Sequence, residues 1–86
     1  MKIKGQFILR SIAGDTILVP VGQAVYDSNG LFVLNEVGAF IWDLLPEAGT
    51  AEDLCRAVLG EYDVTEETAM ADVQEFLEML QKLDII

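Results

Sequence analysis

Residues 34–45 read LNEVGAFIWDLL. Before this stretch, apolar residues come in short runs broken by turn formers. After it, they recur every three or four residues. The change falls at Asn35, a residue type that starts helices by accepting a backbone N–H of the first turn. At 100° per residue, Val37, Phe40, Ile41, Leu44 and Leu45 share one arc, with Glu36 and Asp43 opposite. Trp42 falls outside that arc, beside Ala39. Gly38 is a weak helix former in the first turn and points to a close backbone approach there. Pro46 and Gly49 end the helix. The stretch therefore divides a strand-forming third from a helix-forming remainder.

Upstream, Gln6–Ile12 (QFILRSI) and Thr16–Val21 (TILVPV) have the β-branched, apolar character of strands. Ala13-Gly14-Asp15 between them is a hairpin turn. Pro20 removes a ladder donor and marks a strand end or an edge. Asp27-Ser28-Asn29-Gly30 is a second turn, because Asn and Gly tolerate positive φ and the Asp and Ser side chains close it. Leu31–Leu34 (LFVL) is a third short strand, apolar on both faces, with Ala24–Tyr26 a candidate to pair with it.

Downstream, Thr50 caps a second helix, with Asp53 three residues on in a variant of the capping box. Its stripe is Ala51, Leu54, Cys55, Val58 and Leu59, and Gly60 stops it. Thr65 caps a third helix, whose positive end Glu66 and Glu67 suit. Ala69, Met70, Val73, Phe76, Leu77, Leu80 and Leu83 form its apolar stripe, and Met79 falls on its polar face. Strands over about 6–34 and helices over about 35–86 predict one α+β domain across residues 1–86. In it a three-stranded antiparallel sheet is followed by three helices packed on one face.

The chain of 86 residues is 52% hydrophobic, too apolar for a disordered acidic tail. It has one cysteine, Cys55, and no histidine, so an intramolecular disulfide and a Cys/His zinc site are excluded. Cys55 sits in a helical stripe and reads as a buried core thiol. Arg10 interrupts the first apolar stretch, which argues against a signal peptide. The longest charge-free run, Thr16–Tyr26, is too short to span a bilayer, and a cytoplasmic location is expected. Net charge is −10. Lys2, Lys4 and Arg10 outnumber Asp15 and Asp27 in the first third, whereas the helices hold Arg56 and Lys82 against many carboxylates. Such a surface repels nucleic acid and keeps a greasy chain in solution.

Catalytic chemistry finds no footing. The carboxylate pairs Glu52-Asp53, Glu66-Glu67 and Asp72 with Glu75 lie on polar helix faces or at helix starts, without the burial that tunes a catalytic acid. The glycines make no phosphate loop. Ser11 and Ser28 have no histidine to activate them. The chain reads as no enzyme, with no catalytic residue, metal or cofactor. Asp27-Ser28 resembles the phosphopantetheine acceptor of acyl carrier proteins, but it lies in a turn after strands rather than at the start of a helix. Binding remains. An exposed sheet edge offers unpaired backbone groups to an incoming strand, and Leu31–Leu34 is the candidate edge. Met70 and Leu77 form a shoulder on the third helix that can wall a groove. An exposed edge also leaves a homodimer open.

Leu34-Asn35-Glu36, Gly38-Ala39, Ile41-Trp42 and Leu45 together resemble the signature of the coenzyme PQQ synthesis protein D family. Gly49-Thr50, Tyr62-Asp63-Val64, Asp72-Val73 and Phe76-Leu77 fit the family's later blocks, so the similarity runs from about residue 7 to 86. Two features depart from it: Asp84 stands where the family carries a helix-stopping glycine, and Val21–Gly30 is longer than a short β-turn. The resemblance implies a winged-helix-like RiPP recognition element. Such a domain is a peptide chaperone, not an enzyme, that binds the leader of a precursor peptide as an added strand and docks on a modifying enzyme, often a radical SAM enzyme, in PQQ or other RiPP biosynthesis. Carried onto this sequence, one wall of the groove is Leu31, Phe32, Val33 and Leu34, and the other is Ala69, Met70, Val73 and Leu77. The acidic rim implies a preference for leaders carrying Lys or Arg. The competing reading is a winged-helix DNA-binding or transcription-associated adaptor, since fold alone does not fix function. Against it, the third helix sets Lys82 against Glu66, Glu67, Asp72, Glu75 and Glu78.

Overall fold

The computed structural model describes residues 1–22 and 32–86. Three strands, β1 (Gln6–Ile12), β2 (Asp15–Val21) and β3 (Phe32–Leu34), form an antiparallel sheet in the order β1-β2-β3. Helices α1 (Glu36–Leu44), α2 (Ala51–Glu61) and α3 (Glu66–Lys82) follow, with a 3₁₀ turn at Leu45–Glu47 after α1. The architecture is α+β, as the change of period at Asn35 predicts. The turn at Asp27–Gly30, the candidate pairing of Ala24–Tyr26, and Leu31 lie outside the described residues.

The β1–β2 hairpin turns on two residues, Ala13 (φ 52°) and Gly14 (φ 86°), and Asp15 pairs with Ile12 as the first residue of β2. Positive φ at both turn positions matches the right-handed twist of the strands. Side chains then alternate across the sheet. Phe7, Leu9, Leu18, Phe32 and Leu34 face the helices and join the core, while Ile8, Ile12 and Val33 are exposed on the other face. β3 pairs only with Thr16–Leu18 of β2, so Pro20 sits beyond that described ladder, where its missing N–H breaks no pairing with β3.

The helix starts form as their sequences dictate. Asn35 Oδ1 accepts the Gly38 N–H at 2.7 Å. Thr50 Oγ1 accepts from Asp53 N at 3.2 Å, and Asp53 Oδ2 accepts from Thr50 N, closing the capping box. Thr65 Oγ1 accepts from Thr68 N. Helix α2 passes Gly60 and ends one residue later, at Glu61. At the end of α3, Asp84 takes φ 59°, with Ile85 N donating to Leu80 O and Asp84 N to Gln81 O. This is a Schellman stop with an aspartate in the position that favours glycine. Buried Ile85 packs into the same core as Leu80.

The inward face of α1 differs from the expected arc. Gly38, Ile41, Trp42 and then Leu45 are buried, whereas Val37, Phe40 and Leu44 are only half-buried. Trp42 is a core residue, its ring edge-on to Phe7 with centroids 5.9 Å apart. Phe40 instead meets Tyr62 on the flank, at 5.5 Å. The cause is Gly38. A Cβ there would stand 3.3 Å from Phe76 Cε1 and 3.1 Å from Asn35 Oδ1, so α3 approaches along the side of α1 that has no side chain. Among the described residues no helix is long and apolar enough to cross a membrane.

Candidate functional site

Among the described residues β3 is an edge strand that pairs with β2 alone. Val33 at its centre is 66% exposed. A cleft of about 250 Å³ opens beside this strand. Val33, Leu34 and the capping Asn35 form one wall. Val37, Gly38 and Ile41 from α1 contribute the next, and Asp72, Glu75, Phe76 and Met79 of α3 form the third. The tight turn from β3 into α1 at Asn35 joins the first two walls. The contact of Gly38 with Phe76 brings in the third.

The eight residues proposed from the sequence separate here. Val33 and Leu34 line the cleft. Phe32 is half-buried in the same strand, and Leu31 lies outside the described residues. Ala69 and Val73 are fully buried in the core and offer no surface. Met70 opens on the opposite flank of α3, onto a shallow cleft toward α2 shared with Glu52, Cys55, Arg56, Leu59 and Glu66. Leu77 is half-buried against the core and is not among the lining residues of the β3 cleft. The flank of α3 turned to β3 is therefore Asp72, Glu75 and Met79, not Met70 and Leu77. The two shoulders are equivalent in a helical stripe, and only the packing side of the sheet tells them apart. One signal was present: Met79 is a lone apolar residue on an otherwise polar face.

The electrostatics of the cleft are one-sided. Among the described residues no Lys or Arg lines it. The ion pairs among the described residues are Lys4–Asp84 and Arg56–Asp53, both exposed and away from it. Asp72 and Glu75 thus stand without a cationic partner in the described structure. Near the start of α1, partial burial, with Glu36 and Glu61 close by, pushes the Tyr62 hydroxyl pKa above its ordinary value. Cys55 is buried, its Sγ 3.9 Å from Glu66 O. Among the described residues no three His, Cys, Asp or Glu side chains are grouped to hold a metal ion.

The family model of coenzyme PQQ synthesis protein D (PqqD) matches residues 16–86, from β2 through the end of the chain. The chain belongs to the PqqD family. No curated protein matches the sequence. Among solved structures, TbiB1 in complex with the TbiA(beta) leader peptide is 28% identical, with a TM-score of 0.72, covering 99% of this chain and 93% of that one. Lasso peptide synthetase B1 complexed with the leader peptide shares the fold at 16% identity, with a TM-score of 0.69 and coverage of 94% and 89%. The PqqD match includes β3, the Asn35 turn and α3, and so every described wall of the cleft.

Proposed function

We propose that this PqqD-family chain is a non-catalytic chaperone that binds the leader of a ribosomally made precursor peptide and presents it to a modifying enzyme. The observation that carries this reading is the β3 edge that pairs with no other strand among the described residues, beside a cleft open to the side chains of an added strand. An added strand satisfies the unpaired backbone groups of β3, while its alternate side chains enter the cleft between α1 and α3. Family membership supports the reading, as does the 28% identical TbiB1, which carries a leader peptide. The reaction belongs to the partner. A radical SAM enzyme is the partner class we favour, in the synthesis of PQQ or of another modified peptide, and the encounter is assigned to the cytoplasm, where a ribosomal product first appears.

The test is calorimetric titration of the chain with a synthetic TbiA(beta) leader peptide, the one carried by the 28% identical TbiB1. Val33→Pro deletes a backbone donor in a three-residue strand and is expected to abolish binding, while far-ultraviolet circular dichroism shows the helices retained. Undiminished binding by Val33→Pro and by Met79→Glu rejects strand addition at this edge.

A further inference from the structure

We propose that the cleft selects an extended peptide that seats one bulky apolar side chain over Gly38 and Phe76 and sets a Lys or Arg against Asp72 and Glu75. This rests on the strand-addition reading above and specifies the chemistry of the strand. Gly38 presents no side chain to the cleft, and the Phe76 ring packs directly against its backbone, 3.3 Å from where a Cβ would stand, so that together they form an apolar floor. Ile41 and Val37 complete an apolar lining that only an apolar side chain fills without leaving polar groups unpaired. At the rim, Asp72 and Glu75 face the same space with no cation among the lining residues. A peptide cation there meets two carboxylates and no competing Lys or Arg.

The geometry adds a constraint on spacing. Side chains of a strand alternate between faces, so anchor and cation must lie on the same face, an even number of residues apart. The positions an odd number of residues from the anchor point to the outer face of the sheet, beside exposed Val33, and are read weakly or not at all. An acidic residue in the cation's place is excluded by repulsion from both carboxylates.

The probe is a displayed library of random peptides selected against the whole chain, with enriched sequences resynthesised and titrated. Enriched peptides are expected to combine Leu, Ile, Phe or Trp with Lys or Arg at even spacing. Their affinity is expected to fall about tenfold against the Asp72→Asn, Glu75→Gln double variant, as loss of a close interfacial charge pair does. Raising the salt should weaken the parent complex and leave the double variant nearly unaffected. The Glu52→Gln, Glu66→Gln double variant, which removes the same two charges on the α2–α3 flank, is the control and should change nothing. Enriched peptides without excess Lys or Arg, or equal affinity for parent and double variant, overturn the cation rule. If Val33→Pro still abolishes their binding, strand addition survives that result. If no peptide is enriched, or Val33→Pro binds the winners normally, both readings fall together.

Discussion

Gly38 and Trp42 lie one turn apart on α1 and set which side of that helix faces inward. Gly38 lets Phe76 close against the backbone, and Trp42 then turns under the sheet to meet Phe7. Gly38→Ala improves helix propensity but is expected to lower stability by about 1–2 kcal/mol, because its Cβ crowds both the capping carbonyl and a core ring. Trp42→Ala removes a ring that is 7% exposed, at an expected cost of about 3–5 kcal/mol. Denaturant melts followed by circular dichroism measure both. Two other residues carry strain that substitution can relieve. Ala13 and Asp84 hold φ of 52° and 59°, a region costing a residue with a Cβ roughly 1 kcal/mol. Ala13→Asn and Asp84→Gly are each expected to raise Tm by about 4–8 °C per kcal/mol recovered in a domain of this size. The exposed Lys4–Asp84 pair lost in the second contributes little to offset that.

At the scale of elements, the starts of all three helices were legible because their chemistry is local: Asn35, Thr50 and Thr65 each cap within three residues. The α2 cap also titrates. The Gly49 N–H, the Thr50 N–H and the Arg56 guanidinium hold the Asp53 carboxyl below its ordinary value of 3.8. A carboxyl with a depressed folded-state pKa stabilises the fold above its unfolded-state value. That contribution is lost as pH falls through the folded-state value. Asp53→Asn is therefore expected to flatten the acid limb of the Tm-versus-pH curve below about pH 4. Thr50→Ala should cost about 1 kcal/mol at any pH. What the sequence could not disclose was the handedness of packing on α3. A stripe of apolar residues has two flanks, and the one turned to β3 depends on a sheet more than thirty residues away. Met79→Glu is expected to weaken peptide binding at least tenfold and Met70→Glu to spare it, a reversal of the order that periodicity alone suggests. In the same way the buried face of α1 lies one position on from the apolar arc, since a count of apolar side chains gives no weight to the glycine against which the Phe76 ring packs.

For the whole molecule, the strand third carries a slight positive charge and the helical remainder nearly all of the negative charge. The cleft lies where the two meet, with backbone hydrogen-bonding groups on the β3 side and carboxylates on the α3 side. In the proposed binding mode, affinity and selection divide between walls: the edge holds any strand, and α3 chooses among them. The family resemblance was readable because the Asn35 turn, which joins β3 to α1, is also a cleft wall, so the stretch that fixes the fold also fixes half of the site. The central claim is strand addition at β3, and amide hydrogen exchange with and without saturating leader peptide tests it most directly. Slowed exchange across Phe32–Leu34, with protection spreading to Val37, Phe76 and Met79 and none at Leu59 or Met70, is the expected result. Unchanged exchange in β3, with protection confined to the α2–α3 flank, contradicts it.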